Sequence, residues 1–226
     1  MNLSILVAKT NKDKHYVDLL LPSIEKTIGL SKDEYEIIVH DNSDTVDQLS
    51  YAHAKGLTNG YKKTNAEIVL ILDSDTYFFS IDKTRSPNAW GKELLANFED
   101  DDVVFCSAIR CTGYEMSFFY RSHFLAIRDS FYRDLIINKN GFFPESNNGT
   151  MINDMSHKIT KACIDNNKKF IHYKNSCDDD LKQFYRISGE TVYNKDGVPF
   201  FHHMGRGSSK PNRLLDWLDF WKDHEK

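Results

Sequence analysis

Two aspartates separated by one serine, Asp73 and Asp75, follow directly on an uncharged run from Ile68 to Leu72. On an extended segment their side chains point the same way, roughly 6.6 Å apart along the chain, whereas a turn beginning at Ser74 would change that spacing. In either geometry the carboxylates can hold a hard divalent cation, directly or through water, while a diphosphate supplies further oxygen ligands. The pattern therefore indicates a nucleotide-diphosphate site, although helix caps and solvated turns also place paired aspartates after strands.

Other phosphate and metal motifs do not fit the sequence. An EF-hand loop starting at Asp73 would need glycine at the position of Phe78 and glutamate at the position of Thr84. The chain has no GxGxxG dinucleotide fingerprint, and its "GRGSSK" segment lacks the spacing of a phosphate-binding P-loop. These alternatives are therefore disfavoured.

An alternation of strands and helices positions the aspartate pair. The apolar runs in "LSILVA", "YEIIVHD" and "EIVLILD" predict three strands, with a first helix that ends at Gly29 and a second over Val46 to Lys55. This order predicts parallel βαβ units, and ligands of such sheets gather outside the carboxyl ends of the strands. We therefore expect "HDNSD" and "DSD" to border one crevice.

The alternation weakens after Asp75. The sequence predicts a helix in "NAWGKELLANF", strands in "DVVFCSA" and "HFLAIRD", a helix over "TMINDMSHKITKACIDN", and a closing amphipathic helix in "RLLDWLDFW". No internal repeat or low-complexity linker divides the chain. We expect one α/β domain over 1–226, with a nucleotide-binding half at 1–100 and an acceptor-side half at 101–226.

The composition restricts the expected binding partners and cellular location of the protein. The 226 residues carry 29 basic and 33 acidic side chains, a formal net charge of -4, so no general field attracts nucleic acid or an anionic membrane. No apolar run is long enough for a signal peptide or a transmembrane segment, which predicts a soluble, cytoplasmic protein. Four cysteines form no CxxC pair and are expected to be reduced, with Cys106 in the core.

Three segments in order, "LSILVAKTNKD", "YEIIVHDNSD" and "NGYKKTNAEIVLILDSDTYF", resemble the first half of the inverting family-2 glycosyltransferases with the A-type fold. The resemblance covers roughly residues 3 to 80 and extends more loosely through "HFLAIRDSFYRDL" and "FFHHMGRGSS". It implies a single Rossmann-like nucleotide-diphospho-sugar transferase (GT-A) domain with a mixed, mostly parallel central sheet flanked by helices. It also implies transfer of a sugar, with inversion and Mn2+ or Mg2+ as cofactor, from a nucleotide-diphosphate donor (a UDP-sugar favoured) to a glycan or other acceptor hydroxyl.

The resemblance assigns nucleotide-binding roles to the first two strand ends. Ala8, Lys9 and Thr10 would line the nucleotide pocket, and Asp41 would accept a hydrogen bond from the base. His40 stands where the family has the first acid of this motif, a departure that leaves the choice of base open.

The third strand end receives the metal roles. By resemblance, Asp75 would be the direct metal ligand, while Asp73 would contact the ribose or a metal-bound water and share the metal shell. Ser74 between them would belong to the donor pocket. The cation would offset the charge of the departing diphosphate.

The segment "PFFHHMGRGSSKPNR" carries the remaining predicted donors. A late histidine completes the metal shell in several A-type transferases, which points to His202 or His203, and Arg206 would contact phosphate oxygens. Because neighbouring strand residues point to opposite faces, only one histidine can reach the site, and we assign His203. Six further histidines show no metal spacing and receive no role: His15, His53, His123, His157, His172 and His224.

An inverting transferase needs a carboxylate opposite the leaving diphosphate to accept the acceptor proton. The family places it at the start of a late helix, where this chain reads "FFPESNNGTMINDMSHK" with Asn147 and Asn148. Asp154 is the assigned catalytic base, and Glu145 is the alternative. Two other functions remain open: a sugar-phosphate nucleotidyltransferase, although "AKTNKDKH" lacks the usual glycines, and a non-catalytic nucleotide-sugar-binding module.

Overall fold

The first half of the chain forms three parallel strands joined by helices. The computed structural model describes residues 1–43, 49–79, 89–110, 119–147, 150–153, 157–175 and 190–204. The order is β1 (Leu3–Lys9), α1 (Lys14–Thr27), β2 (Tyr35–Asp41), α2 (Leu49–Tyr61) and β3 (Ile68–Asp73), as the apolar runs predict. β1 lies between its two neighbours, and Lys9 pairs with Asp41 while Ala8 pairs with Asp73. The strands therefore end together at one edge.

Helices cover both faces of these strands, which explains their continuous apolar runs. Leu3, Ile5 and Val7 of β1 pack in a core with α1, whereas Leu6 and Ala8 point to a second core with α2. α1 is followed by Gly29 at φ 69°, a left-handed conformation that favours glycine after a helix.

The second half adds shorter elements. They are β4 (Thr76–Phe78), α3 (Trp90–Ala96), β5 (Val103–Arg110), β6 (Phe119–Arg128), α4 (Asp129–Asn138), β7 (Glu145–Asn147), β8 (Thr150–Asn153), α5 (His157–Asp165), β9 (Lys169–Asn175), β10 (Glu190–Tyr193) and β11 (Pro199–His203). The predicted helix in "NAWGKELLANF" corresponds to α3, and the strand in "DVVFCSA" to β5. No helix in the described ranges combines the length and apolarity that crossing a bilayer demands.

The central sheet is mixed, but the expectation that it is mostly parallel is wrong. Its order is β2-β1-β3-β6-β5-β9-β10-β11-β4. Among the described pairs, β1–β2, β1–β3 and β5–β9 are parallel, and the other five are antiparallel. Parallel neighbours need a crossover such as a helix, and the regular strand–helix alternation that supplies it weakens after β3.

The sheet curls back on itself. β3 and β4 occupy the third and ninth places in the sheet order, yet only Ser74 and Asp75 separate them in the chain. Three steps from Asp73 to Thr76 span at most about 11 Å, whereas six strand spacings across a flat sheet would be about 29 Å. The far edge, β11 and β4, must therefore return to the end of β3.

The helix predicted over 150–166 is shorter than expected. Thr150–Asn153 is strand β8, which pairs with β7, and the helix begins at His157. Asn147 pairs with Thr150 in an antiparallel ladder, and this pairing outweighs the helical spacing of Met151 and Met155 in the sequence. The closing helix predicted in "RLLDWLDFW" lies outside the described residues.

Candidate functional site

The ends of β1 and β2 are joined by an ion pair. Lys9 Nζ donates to Asp41 Oδ2 at 2.6 Å, as the parallel register of the two strands allows. Asp41 also accepts hydrogen bonds from the backbone and hydroxyl of Ser43. The contacts with Lys9 and Ser43 hold the pKa of Asp41 well below its usual value, so this half-exposed side chain is an anionic acceptor at the rim of the sheet.

The two residues that flank this pair take different positions. Thr10 is the N-cap residue of the short 3-10 turn Asn11–Asp13 before α1. Its backbone N–H and its hydroxyl both donate to the Asp13 carboxylate. His40 lies beside Lys63, with Nδ1 3.2 Å from Nζ, and its Cβ is close to Gly60 of α2. His40 therefore contacts α2. It does not supply the acidic side chain that the sequence resemblance leads one to expect at this position.

Asp73 ends β3 between two histidines. His53 of α2 places Nε2 3.2 Å from Asp73 Oδ1, and His203 of β11 places Nε2 3.6 Å from Asp73 Oδ2. Burial by itself lowers the pKa of His53, but the nearby carboxylate of Asp73 raises it above its ordinary value. The carboxylate is thereby held with one oxygen toward each imidazole.

Asp75 faces the same histidine from the following turn. Asp75 Oδ1 lies 3.3 Å from His203 Nε2, and the hydroxyl of Thr76 donates to the carbonyl of Asp73 at 2.7 Å. The chain turns at Ser74 and Asp75, so the extended spacing does not apply. Burial alone lowers the pKa of His203, yet its hydrogen bond and the charges of Asp75 and Asp73 raise it.

The adjacent histidine points the other way. His202 is buried, and its Nδ1 lies 3.0 Å from the hydroxyl of Thr191 on β10. Burial, with the charge of His203 acting in the same direction, lowers the pKa of His202 to about 3. His202 is therefore a neutral core side chain, while His203 lies beside Asp73 and Asp75.

Two further residues reach the site without a signal in the sequence. His123 of β6 stacks on His203, with ring centroids 4.1 Å apart, and Glu190 of β10 places Oε2 3.3 Å from His123 Nε2. The sequence assigns His53 and His123 no role, because their spacing matches no metal motif. Both come to the site only because α2 and the curl of the sheet carry them there.

The donor atoms fit a divalent cation. One ligand atom each from Asp73, His123 and His203 lies within 4.8 Å of the others, and Asp75 reaches this group through His203. His203 Nε2 lies 3.3 Å from Asp75 Oδ1 and 3.6 Å from Asp73 Oδ2, so these three side chains would hold the ion together. Imidazole and carboxylate groups are both common ligands of divalent metal ions in proteins.

Other predicted site residues cannot be placed. Asp154 and Arg206 lie outside the described residues. Glu145 and Asn147 are described only as backbone of β7, opposite β8. The predicted catalytic base and phosphate-binding arginine therefore stay predictions.

Comparison with known proteins identifies the fold. No protein-family model and no curated protein matches the sequence. The structure is similar to a mannosyltransferase from Pyrobaculum calidifontis in complex with GDP-Man and Mn2+ (15% identity, TM-score 0.51), covering 76% of this chain and 54% of that one. It is also similar to residues 1–349 of S. aureus TarS (17% identity, TM-score 0.52), covering 92% and 62%.

A third similar structure is a mutant Drosophila β1,4-galactosyltransferase 7 in complex with manganese, UDP-Gal and xylobiose. It is 10% identical, with a TM-score of 0.52, and the match covers 92% of this chain and 72% of that one. The chain thus spans about half to three quarters of the length of these proteins. Its fold is that of the A-type nucleotide-sugar glycosyltransferases, as the sequence resemblance implies.

Proposed function

We propose that this protein is a metal-dependent glycosyltransferase that moves a sugar from a nucleotide-diphosphate donor, with a UDP-sugar favoured, to an acceptor hydroxyl with inversion. The observation that carries the proposal is the approach of Asp73 and Asp75 to His203 Nε2, at 3.6 and 3.3 Å, at the sheet edge that also holds Lys9 and Asp41. Similar structures of the same fold contain nucleotide sugars and manganese.

Charge balance supports a cation at this place. A diphosphate beside Asp73 and Asp75 would put like charges together, and each pair of unit charges about 4 Å apart repels by about 4 kcal/mol near a protein surface. A divalent ion held by Asp73, Asp75 and His203 would attract both the carboxylates and the diphosphate, so that attraction to the ion would replace this repulsion. When bound, it would act as a Lewis acid that stabilises the leaving diphosphate.

The protein side chains would supply binding and proton transfer. The ionised Asp41, oriented by Lys9 and Ser43, would accept a hydrogen bond from the nucleotide base. Ala8, Thr10 and Ser74 would line the donor pocket, and Arg206 would contact a phosphate oxygen.

The chemical step needs one further carboxylate. Asp154 would remove the proton from the acceptor hydroxyl on the side of the sugar opposite the diphosphate, so that attack inverts the anomeric centre. Glu145 is the alternative base.

Donor turnover tests the proposal. The full chain is incubated with UDP- and GDP-sugars and Mn2+, and nucleotide release is measured with and without a panel of glycan acceptors. We expect release that requires Mn2+, that Asp75→Asn abolishes, and that Asp102→Asn preserves, because Asp102 is an exposed carboxylate paired with Lys168.

A titration of the unmodified chain and of Asp75→Asn with UDP and Mn2+, read beside the release assay, distinguishes an enzyme from a binding module. Mn2+-dependent nucleotide binding without turnover on any donor would identify a binding module instead of an enzyme. Equal binding by Asp75→Asn and the unmodified chain would contradict the metal assignment.

A further inference from the structure

His123 occupies an unusual position beside the proposed ion. It is buried on β6, its ring lies 11° from parallel to that of His203, and the centroids are 4.1 Å apart. Phe201 lies two residues before His203 on β11. Its ring is also nearly parallel to the His123 ring, with ring centroids 6.1 Å apart. The His123 imidazole therefore packs over the side chains that β11 directs to one face.

The stacked geometry argues against direct metal binding by His123. An ion bound to an imidazole nitrogen lies close to the plane of the ring, at about 2.1 Å from the nitrogen. Stacked rings are separated by about 3.5 Å or more, the contact distance of their atoms. An ion in the plane of the His203 ring therefore lies beyond bonding distance of His123, although both histidines belong to the group of donors within 4.8 Å.

We propose that His123 is a positioning residue that fixes the ring plane of His203 and directs its Nε2 toward the gap between Asp73 and Asp75. The inference rests on the proposed metal-dependent function. Glu190 Oε2 lies 3.3 Å from His123 Nε2, so a carboxylate from β10 borders the supporting ring.

The physical reason lies in the soft torsion of a histidine ring. Rotation about the bond between Cβ and the imidazole has a broad energy profile, so an unsupported His203 samples many ring planes. A ring that is already oriented loses less conformational entropy when an ion binds, and supporting contacts of this kind typically change metal affinity by about 10- to 100-fold. The support comes from β6, which is not a sheet neighbour of β11, so it depends on the curl of the sheet.

Substitutions of His123 can distinguish the effect of its flat ring from the effect of its ring nitrogens. His123→Phe keeps an aromatic face over His203 but cannot ligate a metal, whereas His123→Ala removes the face. His172→Ala is the matched control, because His172 is an exposed histidine on β9. Circular dichroism and thermal melting verify that each variant is folded, and His123→Phe carries the test if His123→Ala does not fold.

Titration calorimetry with Mn2+ alone measures affinity, and pulsed electron paramagnetic resonance counts the imidazole nitrogens coupled to the ion. We expect one coupled imidazole in the unmodified chain and in His123→Phe, affinity within about threefold for His123→Phe, and a loss of about 10- to 100-fold for His123→Ala. His172→Ala should bind as the unmodified chain does.

Three results would overturn the inference. One is unchanged affinity in His123→Ala, another is a loss in His123→Phe as large as expected for the alanine variant, and the third is two coupled imidazoles of which His123→Phe removes one. Absence of Mn2+ binding by the unmodified chain, with and without UDP, would instead reject the proposed metal-dependent function. The two failures are therefore distinguishable.

Discussion

Asp75 and Met204 are joined by a backbone hydrogen bond of 3.0 Å, from the N–H of Met204 to the carbonyl oxygen of Asp75. This bond ties the turn after β3 to the end of β11, next to the contact between Asp75 and His203. Two distant parts of the chain are thereby fixed against each other at the proposed metal site. The site thus depends on the pairing of β4 with β11.

The two adjacent histidines should behave differently on substitution. His203→Ala removes a proposed ligand, so Mn2+ affinity should fall at least 10-fold. His202→Ala leaves a buried cavity and deprives Thr191 of its contact, so the free energy of unfolding should fall by about 2–4 kcal/mol. Calorimetry and urea denaturation on both variants measure the two effects, and the reverse pattern would contradict the assignment of faces.

Closure of the sheet should depend on Phe78 of β4. This buried ring stacks on Trp90 with centroids 4.2 Å apart and meets Phe201 edge-on at 4.9 Å. Phe78→Ala should lower the free energy of unfolding by about 3–5 kcal/mol and weaken Mn2+ binding, because β4 carries the turn that holds Asp75.

Phe170→Ala is the matched control for that variant. Phe170 on β9 is 39% exposed and stacks on Phe105. Its replacement should cost about 1 kcal/mol and leave Mn2+ affinity unchanged. Equal destabilisation by the two alanine variants would contradict a central role for Phe78.

The ion pair at the ends of β1 and β2 predicts a pH dependence. Because Lys9 and Ser43 lower the pKa of Asp41 in the folded protein, the pair adds stability above the ordinary aspartate pKa of about 3.9. That contribution is lost as the pH falls through the lower, folded pKa.

Lys9→Met should therefore raise the pKa of Asp41 toward its ordinary value. Carboxyl carbon chemical shifts measured by NMR across the acidic range report this pKa directly. The control is Lys32→Met, which removes a surface lysine paired with Glu25 and far from Asp41 in the fold. An unchanged titration of Asp41 in Lys9→Met would show that the ion pair does not form in solution.

The two described cysteines should resist thiol reagents in the native protein. Burial raises the pKa of Cys163 to about 11 and also raises that of Cys106. At pH 8 both therefore remain protonated, and the thiol is far less reactive than the thiolate. Mass spectrometry after iodoacetamide treatment should find both peptides unmodified in native protein and modified in urea. Rapid native alkylation of either would contradict the buried positions.

The sequence predicted the first half of the fold well because each element there has a strong local signal. β1, β2 and β3 are short apolar runs, and α1 combines helical spacing with a glycine after its end. The prediction failed where local signals compete: the methionines at helical spacing concealed β8, and the weak alternation after Asp75 did not reveal antiparallel pairing.

For the site, the sequence by itself determined that aspartates stand at the ends of β2 and β3. It also determined that His202 and His203, as neighbours on a strand, point to opposite faces, so that only one of them can reach the site. Strand periodicity is local, so it can be read from the order of residues. Only the tertiary structure placed His203 beside Asp73 and Asp75, brought His53 to Asp73, and stacked His123, with Glu190 next to it, on His203. These contacts join residues 20 to 130 positions apart, and they exist because α2 packs beside β3 and because the curled sheet brings its far edge back to the end of that strand.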